Sequence, residues 1–243
     1  MRTVVTGANR GIGLELVRQL RDRGDHVEAC ARHLAAAREL AALAGDRVRI
    51  HPLDVTDPAS VRALAAALGD TAIDAVFDVA GVHGGPGQSI GQMADDLALG
   101  DVAATYDVNA IGALRVSLAL LPHLRRGAGK KLVHVSSNMG SIADNRSGGY
   151  YAYRMSKAAL NMMSRSLAVD LRGEGIVSVV INPGWLQTDM GGPGAPTPVA
   201  DGVRAVLREV DRATLADSGE FLDWRRSPGL VSRRTPQRRE AYG

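Results

Sequence analysis

Tyr153 and Lys157 stand four residues apart in Tyr150-Tyr151-Ala152-Tyr153-Arg154-Met155-Ser156-Lys157-Ala158-Ala159-Leu160, a run of helix formers behind a helix entry. On a helix that spacing puts both side chains on one face, one turn apart, so an ammonium can act on a phenol. A free phenol titrates near about 10, and a neighbouring cation favours the phenolate, which would bring proton transfer closer to working pH. The other two of the three lysines are the adjacent Lys130 and Lys131. Random placement of five tyrosines and three lysines would give roughly 0.06 such pairs. Taken alone, the pair also fits a half-buried aromatic beside a solvated charge on an amphipathic helix.

A second candidate is Gly7-Ala8-Asn9-Arg10-Gly11-Ile12-Gly13, which follows a β-branched run at residues 2–6 and precedes a helical pattern at 14–23. Backbone N–H groups at a helix N-terminus carry partial positive charge, and glycines let a pyrophosphate approach them. The spacing is G-x-x-x-G-x-G rather than G-x-G-x-x-G, and its place between strand and helix gives it weight. Gly87-Gln88-Ser89-Ile90-Gly91 fits the G-x-S-x-G nucleophile elbow of esterases. That motif needs a strand running directly into it, whereas here residues 81–87 intervene after a strand ending near Val79. The six histidines show no paired metal-ligand spacing, so no metal is expected.

The elements that must hold these residues read as strands alternating with helices of ten or more residues. Strands are expected at residues 2–6, 26–31, 48–53, 73–79, 131–135, 176–181 and 220–223. Helices are expected at 14–23, 33–44, 58–68, 101–126, 150–172 and 199–210, with Asp57-Pro58 as cap and first residue of the third. The strands are apolar runs rather than alternating patterns, which is the mark of a parallel sheet covered on both faces. The fold class is therefore α/β, a Rossmann-type doubly wound parallel sheet of about seven strands, with ligands outside the carboxyl ends of the strands.

Composition narrows the function classes. The chain has 243 residues, 45% of them hydrophobic and only 4% aromatic. Its net charge of +3 is uneven: residues 225–243 hold six arginines and one acid, leaving −2 on residues 1–224. A slightly acidic, aromatic-poor body argues against a nucleic-acid groove, and the Arg-rich tail reads as a disordered extension of one domain at 1–224. No apolar run is long enough for a membrane span, and the single Cys30 suits a reducing setting, so a cytoplasmic protein is expected.

Thr6-Gly7-Ala8-Asn9-Arg10-Gly11-Ile12-Gly13, Asp54-Val55-Thr56, Asn109, Ser136-Ser137, Tyr153-x-x-x-Lys157 and Pro183-Gly184 together resemble the short-chain dehydrogenases/reductases of the classical type, in order and spacing over residues 1–223. Ser136 to Asn145, Tyr150-Tyr151 and Pro183 to Gly192 look most like the branch of C-factor and sniffer-type carbonyl reductases. The resemblance implies NADP(H)-dependent interconversion of a ketone or aldehyde and its alcohol on a small to medium apolar substrate. It implies Tyr153 as proton donor, Lys157 acting on the phenol and holding the nicotinamide ribose, Ser137 on the carbonyl oxygen, and Asn109 holding a water in the proton relay. The cofactor would be bound by Gly7, Asn9, Arg10, Gly11, Ile12, Gly13, Arg32, Asp54, Val55, Ala80, Gly81, Tyr153, Lys157, Pro183, Gly184 and Thr188. A homodimer or homotetramer through residues 101–126 and 150–172 is also implied, as is the alternative of a C-factor-type signalling or NADP-sensing protein with incidental turnover.

Cofactor choice rests on the end of the second strand. An acid there would bind the ribose 2′-OH of NAD, but Ala31 occupies that position, with Arg32 beside it and Arg10 in the glycine turn to meet a 2′-phosphate. Two departures from the family pattern carry expectations. Asp78-Val79-Ala80-Gly81 replaces Asn-Asn-Ala-Gly, which puts local sheet stability in question because an ionised Asp cannot donate. The long gap from Ser137 to Tyr153 implies a bulkier loop, residues 141–149, over the substrate pocket. Residues 184–198 are expected to form a lid with Trp185, Leu186 and Met190 as apolar contacts, and residues 82–93 and 141–150 the other walls.

Overall fold

The computed structural model describes residues 1–84 and 97–225. The Gly87 to Gly91 motif, most of the wall expected at residues 82–93 and the tail beyond Arg225 lie outside them.

Seven parallel strands form one sheet: β1 (Arg2–Val5), β2 (His26–Ala31), β3 (Val48–Pro52), β4 (Ala75–Asp78), β5 (Lys131–Val135), β6 (Val177–Asn182) and β7 (Phe221–Asp223). Their order is β3-β2-β1-β4-β5-β6-β7. The chain winds outward from β1 to β3, then returns to β4 on the other side of β1, so the switch point lies between β1 and β4. The helices are α1 (Gly11–Asp22), α2 (Arg38–Ala41), α3 (Pro58–Leu68), α4 (Leu99–Tyr106), α5 (Ala113–Arg126), α6 (Tyr151–Asp170) and α7 (Val199–Arg212).

Alternation along each strand splits the core in two. Val5, Phe77, Val133 and Ile181 face α1 and α7, where Leu16, Leu20, Val203 and Val206 meet them. Val4, Val76 and Leu132 face the other way, onto Val61 and Leu64 of α3, Val116 and Leu120 of α5 and Leu167 of α6. Both sheet faces are thus covered, which is why the strands read as continuous apolar runs. Asp57 caps α3 by accepting a 2.8 Å hydrogen bond from the Ala59 amide, with Pro58 at the first helical position.

Three expectations are corrected by packing. The helix expected at 33–44 shrinks to a 3-10 turn, Leu34–Ala36, and the single turn α2. Ala37 leaves helical geometry between them, and of this stretch only Ala37 and Leu40 are fully buried, with Leu34 and Leu43 packed partly against the core, a narrow apolar face for a longer helix. The long helix expected at 101–126 is not uniform either: it begins at Leu99, and Asp107–Gly112 is wound as a π-helical segment between α4 and α5. Asp78, finally, finds partners that its acceptor-only carboxylate can use. Its Oδ2 accepts from Ser117 Oγ of α5 at 3.1 Å. The buried His134 Nδ1 of β5 stands 3.1 Å from the same oxygen, off the hydrogen-bond direction.

Candidate active site

A cleft of about 950 Å³ opens at the carboxyl ends of the strands, across the switch point. The turn after β1 forms one end. Gly7 has φ +63, and a Cβ there would stand 2.8 Å from the Ala80 Cα after β4; a Cβ on Gly13 would stand 2.2 Å from the Gly7 carbonyl oxygen. Only glycine lets these backbones close so tightly at the start of α1. Thr6 Oγ1 pins the two loops together by accepting from the Val79 and Ala80 amides at 3.0 and 3.1 Å. The result is a helix N-terminus aimed into a groove with no side chain in the way, a shape and polarity that fit a dinucleotide pyrophosphate.

Along the rest of the groove lie Asn9, Arg10, Gly11, Ile12, Arg32, Asp54, Val55, Ala80, Gly81, Pro183, Gly184 and Thr188. Burial raises the pKa of the Asp54 carboxyl, but hydrogen bonds from the Thr56 hydroxyl and amide, at 2.6 and 2.9 Å, hold it below the usual range. Arg10 is paired with the exposed Asp189 at 3.0 Å, and Arg32 Nε lies 3.0 Å from His33 Nε2. Ala31 is buried in the core and the rim of the cleft at that point is made by Arg32, His33 and Ala36.

At the other end stand Ser137, Tyr153 and Lys157. Tyr153 and Lys157 are both buried on α6, but the ammonium does not reach the phenol. Lys157 Nζ donates to the Val135 carbonyl at 2.8 Å and lies 5.7 Å from the Tyr153 ring centroid. Burial therefore governs both groups: it pushes Tyr153 up to about 12, against a lowering pull from the Ser137 hydroxyl, and draws Lys157 down to about 8. The expected lowering of the phenol is reversed, because desolvation outweighs a cation that is turned toward a backbone carbonyl.

Asn109 stands behind the cleft wall rather than in it. Its Oδ1 accepts from the Val82 amide at 2.8 Å, and its Nδ2 donates to the Val82 carbonyl at 2.8 Å and to Ser156 Oγ at 3.0 Å. The π-helical segment that carries it delivers this amide, so Asn109 clamps the loop after β4 onto α6.

The walls differ from expectation in two places. Ser141–Gly149 is a largely exposed excursion that closes on itself, with Ser141 Oγ donating to Asp144 Oδ2 at 2.7 Å and the Gly148 amide to Asn145 Oδ1 at 3.1 Å. Only its flanks, Asn138, Met139 and Tyr150, line the cleft. Tyr150 is held at φ 55, directly after Gly148 and Gly149 at φ 65 and 63, a left-handed entry into α6 that strains a non-glycine residue. Tyr151 lies outside the cleft and is partly exposed. In the lid, Leu186 is buried with its side chain against Gly202 of α7, whereas Trp185 and Met190 remain open to solvent at the cleft.

Two further lining residues are not singled out in the sequence reading, although His83 falls within the wall expected at residues 82–93. Trp224 packs its indole against Gly184, where a Cβ would meet it at 2.5 Å, and the only hint was an aromatic just beyond the last strand. His83, two residues after Gly81, lays its imidazole on the Tyr153 ring with centroids 4.4 Å apart and 21° between planes. Among the described residues no cluster of three or more His, Cys, Asp or Glu could hold a metal ion, and no helix is long and apolar enough to cross a membrane.

A family model described as short chain dehydrogenase matches residues 2–197. The C-signal protein of Myxococcus xanthus is 49% identical over 152 residues, 63% of this chain and 89% of that protein. The NADPH-bound carbonyl reductase from chicken fatty liver aligns with a TM-score of 0.84 at 35% identity, covering 92% of this chain and 96% of that one. The carbonyl reductase Sniffer of D. melanogaster aligns with a TM-score of 0.86 at 29% identity, covering 93% and 98%.

Proposed function

The chain belongs to the short-chain dehydrogenase family, in the branch of C-factor and sniffer-type carbonyl reductases, and from that premise we propose that it reduces a ketone or aldehyde to an alcohol with NADPH. The observation that carries this reading is that the glycine cradle, Ser137, Tyr153 and Lys157 share one cleft. The reduced nicotinamide, when bound, supplies the hydride. The protein's own groups do the rest. The amides at the start of α1 face the pyrophosphate, Asp54 and Val55 border the adenine side, and Lys157 holds the nicotinamide ribose. Ser137 hydrogen-bonds the carbonyl oxygen as charge develops on it, and Tyr153 gives that oxygen its proton. Asn109, by fixing Val82, keeps the wall opposite Tyr153 in place, next to the proton relay it would serve. Trp185, Met190 and Met139 offer apolar surface to the rest of a small or medium substrate.

A phenol raised to about 12 is protonated at neutral pH, the state that a proton donor to the reduced carbonyl needs. Lys157 is charged below about 8 and loses its charge as pH rises through that value. The reduction rate at saturating NADPH is accordingly expected to be level near neutrality and to fall with a midpoint near 8. A rate that rises across that interval would contradict the assignment of Lys157.

The deciding experiment follows NADPH depletion over a panel of ketones, aldehydes and quinones. Turnover of at least one carbonyl class is the expected result; NADPH binding with no turnover of any would favour the second reading, a signalling or cofactor-sensing protein. That reading rests on the resemblance to C-signal. Against it stands the grouping of Ser137, Tyr153 and Lys157 in the same cleft as the glycine turn.

We also propose a homodimer. Met155, Met162 and Val169 recur every seven residues on α6 and are exposed, as are Ile111 and Leu118, seven apart on the neighbouring π-helical segment and α5. Such a stripe is an outward apolar seam at helical spacing. Sedimentation velocity is expected to show a dimer that Met162→Glu dissociates; a monomeric wild type would rule it out.

A further inference from the structure

His83 is the one imidazole set into the catalytic end of the cleft, and the reduction as described gives it no task. Its ring is parallel to the Tyr153 phenol at 4.4 Å and edge-on to the Tyr150 ring at 5.7 Å and 88°. The backbone that presents it is anchored, because Asn109 grips both the amide and the carbonyl of the preceding Val82. Among the described residues neither imidazole nitrogen has a hydrogen-bond partner. Burial draws its pKa below the ordinary histidine value, so at neutral pH the ring is uncharged, with one N–H donor and one acceptor nitrogen.

The ring is only half-buried and lines the cleft, so neither nitrogen is sealed away from what enters it and both are open to a ligand's polar atom. Packing alone would be served as well by phenylalanine. The stacking fixes what the ring can reach. The reacting carbonyl oxygen must sit at the hydroxyls of Tyr153 and Ser137, and the imidazole, 4.4 Å from the phenol ring centre to centre, borders the space beside it. A substituent on the carbon next to the carbonyl is the part of a substrate that enters that space. The far end of the substrate meets Trp185, Met190 and Met139 instead, which offer it no strong polar group.

We propose that His83 is a specificity-determining residue that hydrogen-bonds an oxygen substituent on the carbon next to the reacting carbonyl, so that the site selects α-oxygenated ketones or aldehydes over simple ones. This rests on the reductase reading above. The test compares kcat/KM for 2-hydroxyacetophenone and acetophenone, which share a ring and a carbonyl and differ by the hydroxyl, in wild type, His83→Phe and His83→Asn. His83→Phe keeps a flat ring on Tyr153 and removes the nitrogens; His83→Asn restores a donor and an acceptor.

One lost hydrogen bond corresponds to about a tenfold change. His83→Phe is expected to lower the hydroxy-ketone to ketone ratio about tenfold, and His83→Asn to recover part of it. Intrinsic differences in carbonyl reactivity cancel, since each substrate is compared with itself across variants. An equal loss on both substrates would make His83 a packing residue, and an unchanged ratio would make it a bystander; either overturns the inference while leaving the reductase reading intact. A wild type that binds NADPH yet turns over neither ketone, nor any other carbonyl, would remove both.

Discussion

Tyr153→Phe is expected to lower kcat for NADPH-dependent carbonyl reduction by about a hundredfold or more, with NADPH affinity changed by less than about threefold. The substitution deletes one oxygen from a buried side chain whose ring is held by the His83 stack and by α6, so the fold and the cofactor groove should survive. What goes is the proton that must reach the product oxygen. Burial that keeps the phenol protonated also keeps bulk water from replacing it. Fluorescence titration of NADPH alongside initial rates separates the two effects. A variant that retains even a tenth of wild-type turnover would remove Tyr153 as proton donor. A variant that is inactive but still supports whatever cellular role the protein has would move that role away from catalysis.

The sequence made the architecture legible wherever a local pattern was enough. Apolar runs gave the seven strands, Asp57-Pro58 gave the start of α3, and the turn at Gly7 to Gly13 announced itself by its place between strand and helix. The four-residue spacing of Tyr153 and Lys157 was equally local. What failed to show depends on tertiary contact. The stretch at 33–44 has good helix formers but only two residues that are fully buried in the core, and no propensity scale records that. The π-helical turn at Asn109 adds one residue over a single turn, too small a phase change to see in the pattern. The sign of the Tyr153 shift is not legible in the sequence, because spacing speaks to the distance between residues, while burial and the direction of the Lys157 ammonium belong to the folded chain. His83 is the clearest case: its loop is legible as a wall of the pocket, but the stack of its ring on Tyr153 depends on where that loop lands on α6.

Cofactor preference gives the second large effect. Arg32→Ala is expected to raise KM for NADPH by about ten- to a hundredfold, the equivalent of losing a charge-assisted contact to a 2′-phosphate, while KM for NADH stays within about twofold. Arg32 is exposed at the rim of the groove and its Nε contacts only a neighbouring imidazole, so its guanidinium is available to an anion. Arg10 faces the same groove but is already paired with Asp189 at 3.0 Å. It must release that carboxylate before it can meet a phosphate, so Arg10→Ala should cost less than Arg32→Ala. Asp189→Asn, which frees Arg10, should shift preference slightly further toward NADPH. The order of the three variants is the informative part: a merely diffuse positive field would make the two arginines equivalent. Equal effects on NADPH and NADH from Arg32→Ala would show that the residue does not read the phosphate at all. A wild type that prefers NADH tenfold would mean that the missing acid at Ala31 is compensated elsewhere in the groove.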